Sequence, residues 1–123
     1  MNKRSWDAII IGGGIHGASL AYHLTLHGIK PLILEKKFLA AGATGRSSGL
    51  VRMHYDLELE SRLAWISYDY FKRWPDKVGG ESGFVRTGFM QFVEPESTDN
   101  LQANIRMQQE LGIPSLLIYR KDV

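Results

Sequence analysis

Apolar residues in the first third of the chain form two short runs that flank a segment with helical spacing. Residues 7–11 are rich in β-branched side chains and end at three consecutive glycines, a pattern typical of a buried parallel strand. Residues 15–27 predict a helix with one side of small residues, and Gly28 marks its end. Residues 31–35 predict a second strand that ends on Glu35. Together they predict a βαβ unit.

The next segment, residues 37–50, is small, polar and rich in glycine. Such a composition is typical of a flexible linker. However, a linker rarely holds a single arginine between glycine and serine, as Arg46 stands here, before apolar residues resume at Leu50. Two interpretations therefore remain at this point, a linker and a shaped binding loop.

The middle of the chain predicts an amphipathic helix. Asp56 is placed to cap its N-terminus, acidic residues follow in the first turn, and Pro75 is expected to end it. The apolar residues that share one helical face, and that we expect to be buried, are Leu59, Leu63, Ile66, Tyr70 and Trp74.

The last third predicts two strands and a helix. Residues 84–94 are rich in β-forming side chains, and residues 115–119 form a second short apolar run. Between them, Ser97 or Thr98 is expected to open a helix that ends at Gly112. Its inward-facing residues are predicted to be Leu101, Ile105 and Leu111.

Composition excludes several functional classes. Of the 123 residues, 44% are hydrophobic and 23% are charged, as in an ordinary globular protein. The 15 basic residues are interleaved with 13 acidic ones, so no basic stripe predicts a nucleic acid partner. The absence of cysteine excludes disulfides and thiolate zinc sites within this chain. No apolar run predicts a membrane span or a signal peptide, and we expect a cytoplasmic protein.

The three glycines begin the motif G-x-G-x-x-G. Gly12 permits a tight turn out of the strand, Gly14 lets the backbone approach a pyrophosphate, and Gly17 lets helix and strand pack closely. Glu35 follows at nearly the expected spacing of about 20 residues, where an acid accepts hydrogen bonds from the adenosine ribose. This pattern predicts a dinucleotide site but does not distinguish FAD from NAD. A βαβ unit that binds nothing is the alternative.

Residues 42–52 favour FAD. The sequence Gly-Ala-Thr-Gly-Arg-Ser-Ser-Gly-Leu-Val-Arg, together with the glycine motif at residues 12–17, resembles the amine-oxidising flavoproteins of the D-amino acid oxidase superfamily. Sarcosine oxidase, glycine oxidase and dimethylglycine dehydrogenase are the members that it is most similar to. The similarity continues more weakly to the end of the chain, where residues 86–90 resemble the strand that enters that family's substrate domain.

The resemblance implies FAD as the cofactor and a small amine or amino acid of the sarcosine or glycine type as the substrate, oxidised at its C–N bond by hydride transfer to the flavin. The residues predicted to contact FAD are Gly12, Gly14, Ile15, His16, Gly17, Glu35, Lys36, Ala43, Thr44, Arg46, Ser48, Gly49 and Leu50. For Arg46, phosphate neutralisation and simple solvent exposure are both open.

Arg52 is the predicted catalytic residue, because the monomeric sarcosine oxidases carry an arginine at the matching place. A cation there would stabilise negative charge on the reduced flavin. An ordinary ion-paired arginine is the alternative. His54 does not match the histidine that tethers flavin in some relatives. His23 and His27 stand at metal-ligand spacing with His16, but they lack a further ligand, and we expect no metal.

The implied fold is α/β: a Rossmann-like βαβ FAD-binding unit, then a helical segment, then the first strands of a mixed substrate domain. We assign residues 1–52 to the FAD unit with its flavin loop, residues 53–80 to the helical segment and residues 81–123 to the start of the substrate domain. Because the resembled enzymes are longer, we expect an incomplete fold, an N-terminal fragment that is inactive alone. A non-catalytic nucleotide-binding module or subunit completed by a partner chain, and an NAD-binding Rossmann protein, are alternatives.

Overall fold

A computed structural model describes residues 5–119. The chain divides into two compact units, one up to Leu50 and the other from Val51 onward. The three-part division predicted from the sequence stays a prediction.

The first unit is the predicted βαβ unit. Strand β1 (Ala8–Ile11) is followed by helix α1 (Ile15–Leu26) and strand β2 (Pro31–Leu34). The strands pair in parallel, with Ala8 opposite Pro31 and Ile11 opposite Leu34. Helix α1 ends where Gly28 adopts a φ of 73°, a conformation that glycine reaches without a Cβ clash. The predicted α/β class and parallel pairing are confirmed.

The sheet has one covered face. Ile10 is buried and points towards α1, whereas the side chains of Ile9 and Ile11 are 63% and 89% exposed. Successive residues of a strand point to opposite faces, so Ile9 and Ile11 lie on the other side of the sheet. The expectation of a fully buried β1 is therefore wrong for two of its three isoleucines. The following loop contains one turn of 3-10 helix, Thr44–Arg46.

The second unit is helical within the described residues. It contains helices α2 (Glu58–Lys72), α3 (Trp74–Lys77) and α4 (Thr98–Glu110), with a 3-10 turn at Pro95–Ser97. Helices α2 and α4 pack together. The buried residues of this unit include Tyr68, Ile105 and Ile113 and three polar residues, Ser61, Gln108 and Ser115.

Polar groups in this core are hydrogen-bonded, as buried polar groups need to be. The Ser115 hydroxyl donates to Gln108 Oε1 at 2.6 Å, and Gln109 Nε2 donates to the Ser115 carbonyl at 2.8 Å. These bonds hold the segment after α4 against the end of that helix. Aromatic rings form a second cluster, in which Trp65 stacks on Tyr68 and Phe84 contacts both Tyr68 and Phe71.

Three predictions for α2 are wrong. Asp56 does not cap the helix, whose N-cap is Leu57, because the Asp56 carboxylate instead accepts a bond from Asn104 Nδ2 at 2.7 Å. The helix also ends at Lys72, and Pro75 lies in the first turn of α3, where proline is tolerated. On the predicted buried face, Leu59, Leu63 and Ile66 are exposed, while Ser61 and Tyr68 are buried.

The two strands predicted in the last third do not form among residues 5–119. Residues 84–94 and 115–119 contain no strand there. A strand is defined by a ladder of hydrogen bonds to a neighbour, and the two strands that the described residues form, β1 and β2, pair with each other. The predicted α4 is confirmed, since it starts at Thr98 and is followed by Gly112 at a φ of 79°.

Candidate functional site

The glycine turn is the sharpest feature of the first unit. The Gly12 N–H donates to the Leu34 carbonyl at 2.8 Å and so extends the parallel ladder by one residue. The backbone then leaves the sheet with a φ of 107° at Gly12, a conformation that other residues rarely adopt. Helix α1 begins directly afterwards, with Gly14 as an N-cap that has no side chain to satisfy the first N–H groups.

Two other glycines of the motif are fixed by space. A Cβ on Gly17 would lie 2.0 Å from the Gly12 carbonyl oxygen, so the close approach of α1 to the turn requires glycine there. A Cβ on Gly14 would lie 3.1 Å from Thr44 Oγ1, which is a tight contact. The mechanical role predicted for Gly17 therefore has a direct structural basis. At Gly14, the absence of a side chain lets Thr44 of the loop approach the backbone.

Glu35 links the end of β2 to the glycine turn. Its Oε2 accepts a hydrogen bond from the Gly13 N–H at 2.8 Å, and its Oε1 accepts one from the Lys37 N–H at 2.9 Å. The bond from Gly13, followed by that from Lys37, lowers the pKa of the Glu35 carboxyl below its ordinary value. Glu35 is therefore an anion at neutral pH. A carboxylate has about four acceptor positions, so these two bonds leave capacity for two ribose hydroxyls.

The loop after β2 folds back onto the same turn. The Ala40 N–H donates to the Gly13 carbonyl at 2.9 Å, and the Gly45 N–H donates to the Ala40 carbonyl at 2.9 Å. Ala40 itself has a φ of 63°, unusual for a residue with a side chain. A Cβ on Gly45 would lie 2.5 Å from the Ala40 oxygen. For residues 40–45, these contacts favour a shaped binding loop over a flexible linker.

Thr44 carries the loop to the start of α1. Its Oγ1 accepts a hydrogen bond from the Ile15 N–H at 2.9 Å, across 29 positions of sequence. The threonine thus supplies the cap that Gly14 lacks. Because the oxygen is the acceptor in this bond, the hydroxyl hydrogen remains available for an acceptor that approaches the helix terminus.

These groups fit the ADP half of FAD. The N–H groups of the first turn of α1 and the hydroxyl of Thr44 are donors, as phosphate oxygens require. The Glu35 carboxylate is an acceptor, as ribose hydroxyls require. The glycines of the turn keep the approach to the helix terminus free of side chains.

The remaining predicted contacts lie around this turn or further along the loop. Arg46 is exposed, and its Nε donates to the Gly42 carbonyl at 3.2 Å. Gly49 has a φ of 69°, and its N–H donates to Ser47 Oγ at 3.2 Å. The predicted roles of these residues stay predictions, as do those of His16, Lys36, Ala43, Ser48 and Leu50.

Arg52 lies in the second unit, above two aromatic rings. Its Cζ is 5.3 Å from the centre of the Tyr55 ring and 5.7 Å from that of Phe89, within the range of cation–π attraction. It lines a cavity of about 350 Å³. The other lining residues are His54, Tyr55, Asp56, Leu57, Glu60 and Gln91. The catalytic role predicted for Arg52 remains a prediction.

His54 shares that cavity. Its ring is 5.1 Å from the ring of Phe89. Burial, and secondly the positive charge of Arg52, lower the pKa of His54 below the ordinary value of 6.5. The imidazole is therefore largely neutral at neutral pH. Within residues 5–119, no three His, Cys, Asp or Glu side chains come close enough together to hold a metal ion.

Three residues that shape the two units were not predicted from the sequence. Gly13 occupies a variable position of the motif, yet a Cβ there would lie 2.7 Å from Leu39 Cδ2, and its N–H binds Glu35. The run of three glycines was the available signal. Ala40 and Ser61 gave no signal, because their roles depend on partners distant in sequence.

Known proteins match the chain over nearly its whole length. Residues 7–123 match the sequence model of the DAO family, described as FAD dependent oxidoreductase. The mitochondrial pyruvate dehydrogenase phosphatase regulatory subunit of Mus musculus is 33% identical over 121 residues, 95% of this chain. The peroxisomal sarcosine oxidase of Homo sapiens is 30% identical over 113 residues, 87% of this chain.

A solved structure matches the fold as well. The L-proline dehydrogenase of P. horikoshii superposes with a TM-score of 0.84 at 27% identity, over 97% of this chain. The chain spans 14% of the length of the mouse regulatory subunit, 28% of the human sarcosine oxidase and 32% of the proline dehydrogenase chain. Among the described helices, none combines the length and the apolar character that crossing a bilayer requires.

Proposed function

We propose, since the chain belongs to the DAO family of FAD-dependent oxidoreductases, that it holds the ADP half of FAD in an enzyme that oxidises the C–N bond of an amine or amino acid. FAD is the cofactor of this family. The amine substrate and the residues that contact the cofactor are the proposed parts.

The observation that carries the proposal is a pair of hydrogen bonds at the glycine turn. The Ile15 N–H donates to Thr44 Oγ1, and the Gly13 N–H donates to Glu35 Oε2. The first places a hydroxyl donor at the positive end of α1, where phosphate oxygens are stabilised. The second orients an ionised carboxylate beside the turn, where a ribose would lie. One site thus offers donors for phosphate and an acceptor for ribose.

When bound, FAD supplies the redox chemistry by accepting the equivalent of a hydride from the substrate carbon next to nitrogen, which leaves an imine that water hydrolyses. The chain's own contribution is to bind and orient. The Thr44 hydroxyl would donate to a phosphate oxygen, Glu35 would accept from the ribose, and Arg52 would place positive charge near the flavin. The last of these assignments rests on the resemblance.

The names of two similar proteins narrow the proposed substrate. Sarcosine and L-proline are both amino acids whose nitrogen carries two carbon substituents. Dimethylglycine, which appears in the name of a further similar protein, also carries alkyl groups on its nitrogen. We therefore propose an amino acid with an alkylated nitrogen as the substrate class. When the amine of such a compound is neutral, its nitrogen lone pair can form the C=N bond as the hydride leaves the neighbouring carbon. No separate base is then needed to remove a proton.

Anaerobic mixing of single compounds with the purified, FAD-loaded enzyme that contains this chain tests this function, because the chain by itself is expected to be inactive. Sarcosine and L-proline should bleach the flavin absorbance band, whereas glycine and glycerol 3-phosphate should not. Glycerol 3-phosphate is a useful control, because a chain of the anaerobic glycerol-3-phosphate dehydrogenase of Haemophilus influenzae is 47% identical over 51 residues. Bleaching by glycerol 3-phosphate alone would overturn the proposed substrate class.

A second candidate is a non-catalytic nucleotide-binding subunit that needs a partner chain. It is favoured by the similarity to a regulatory subunit over 95% of this chain. The same experiment separates the two functions. A protein that binds FAD but is reduced by none of these compounds would support the second candidate. The NAD-binding alternative is not proposed further, since the matching family is FAD-dependent.

A further inference from the structure

Ser61 is a buried polar residue that the proposed function does not use. It lies on α2 and is 0% exposed. Its Oγ is 3.2 Å from the carbonyl oxygens of both Met53 and Tyr55, to which the single hydroxyl hydrogen can donate. The Met53 carbonyl also accepts the Tyr55 N–H at 3.1 Å. Ser61 therefore ties a tight turn, residues 53–55, to the first half of the helix.

The tied turn sets the positions of two cavity residues. Arg52 precedes it directly and lies over the ring of Tyr55, which the turn contains. His54 is the central residue of the turn and lies against Phe89. A movement of the turn would therefore displace the guanidinium and the imidazole together.

A second bond holds the same segment from α4. Asn104 Nδ2 donates to Asp56 Oδ1 at 2.7 Å, one residue after the turn. This bond is exposed and joins residues 48 positions apart in the sequence, whereas Ser61 itself is fully buried and its two bonds are part-buried. Water competes less for a hydroxyl that is fully buried, so we take Ser61 as the main anchor of the turn, although the Asn104 bond is shorter.

We propose that Ser61 is a positioning residue, which fixes the turn of residues 53–55 and thereby holds Arg52 over Tyr55 and Phe89 at the wall of the cavity. The consequence for catalysis rests on the proposed function, because it requires Arg52 to act beside the flavin. The fixed turn itself is a property of the second unit alone.

The substitution Ser61→Ala tests the anchor. Alanine removes the hydroxyl while leaving nearly the same volume, so the helix keeps its packing but the half-buried carbonyls of Met53 and Tyr55 lose the donor that they share. The turn then loosens towards water. Ser67→Ala is the matched control, because Ser67 lies on the same helix and is exposed.

The readout is the titration of the His54 ring, followed by NMR in the purified chain. The charged groups that line its cavity are Arg52, Asp56 and Glu60. In Ser61→Ala, we expect the pKa of His54 to shift upwards, because the imidazole gains solvation and moves away from Arg52. Ser67→Ala should leave that pKa unchanged. An unchanged pKa in a folded Ser61→Ala variant overturns the proposal.

Ser61→Cys keeps the inference testable if the alanine variant does not fold. A thiol is a weaker donor than a hydroxyl, so the turn should loosen partially and the pKa of His54 should shift in the same direction by less. An unchanged pKa in a folded Ser61→Cys variant equally overturns the proposal.

A flavin titration of the same variants separates this inference from the proposed function. Ser61→Ala should slow flavin reduction by substrate while the affinity for FAD stays that of the Ser67→Ala control. If the wild-type protein binds no FAD, the proposed function fails, and the His54 titration still decides whether Ser61 fixes the turn.

Discussion

The Glu35 carboxylate and the Gly13 amide are joined by a hydrogen bond of 2.8 Å that connects the end of β2 to the turn after β1. The residue predicted to bind ribose is thus also an internal brace of the glycine turn. Loss of Glu35 should therefore affect the turn itself as well as the cofactor.

The brace makes stability depend on pH. Folding lowers the pKa of Glu35 from its ordinary value of 4.5, chiefly through the Gly13 bond. The stability that ionised Glu35 contributes is therefore fully present when the pH is above the pKa of the unfolded chain. It is lost as the pH falls through the lower pKa of the folded chain. Melting temperatures measured from about pH 7 to about pH 3 should show a smaller acid-induced decrease in Glu35→Gln than in wild type. Glu81→Gln, an exposed acid of the second unit, should retain the wild-type profile; equal profiles for all three would contradict this role.

Gly17→Ala should destabilise the first unit by about 1–3 kcal/mol, because the added Cβ would overlap the Gly12 carbonyl oxygen and push α1 away from the turn. Urea unfolding measures the effect. Gly42→Ala is the matched control, since no heavy atom lies within 4 Å of its added Cβ and its φ is not positive. Similar free energies of unfolding for the two variants would show that the close approach is not required.

Thr44→Val should weaken FAD binding about fivefold, since valine keeps the shape of threonine but leaves the Ile15 N–H without its acceptor and removes the donor proposed for phosphate. Quenching of flavin fluorescence measures the affinity. Thr25→Val makes the same change at the other end of α1, where the hydroxyl donates to the Tyr22 carbonyl. If both variants lose affinity equally, Thr44 has no specific role at the nucleotide.

Ala40→Gly should raise the free energy of unfolding by up to about 1 kcal/mol. The φ of 63° strains a residue with a Cβ, and glycine removes that strain at a smaller entropic cost in the unfolded chain. Ala41→Gly is the control and should instead lower stability, because it carries the entropic cost without relieving strain. Destabilisation of both variants by the same amount would contradict the strain at Ala40.

The sequence predicted the first unit well because its signals are local. The glycines, the β-branched run before Gly12 and the acid at Glu35 each fix the backbone within a few residues of themselves. The second unit was predicted less well. Helical spacing identified α2, but it could not show that Ser61 and Tyr68 would be buried rather than Leu59 and Leu63.

The missed parts of the candidate site depend on distant partners. Asp56 was interpreted as a cap, but its partner is Asn104, 48 positions away on α4. The left-handed conformation of Ala40 follows from its bonds to Gly13 and Gly45, which exist once the loop has folded back. No pattern around either residue carries this information.

The most direct test of the proposed nucleotide site is an NMR titration of the isotope-labelled protein with FAD, with NAD as the comparison. We expect saturable shifts of the amide signals of Gly14, His16, Gly17 and Thr44, and we expect these shifts to be lost in Glu35→Ala. We also expect FAD, but not NAD, to shift the signals of Gly49 and Leu50, because the flavin is expected to lie beside these residues. Unmoved signals at the glycine turn with FAD at about 1 mM would show that this turn does not bind the ADP half of FAD.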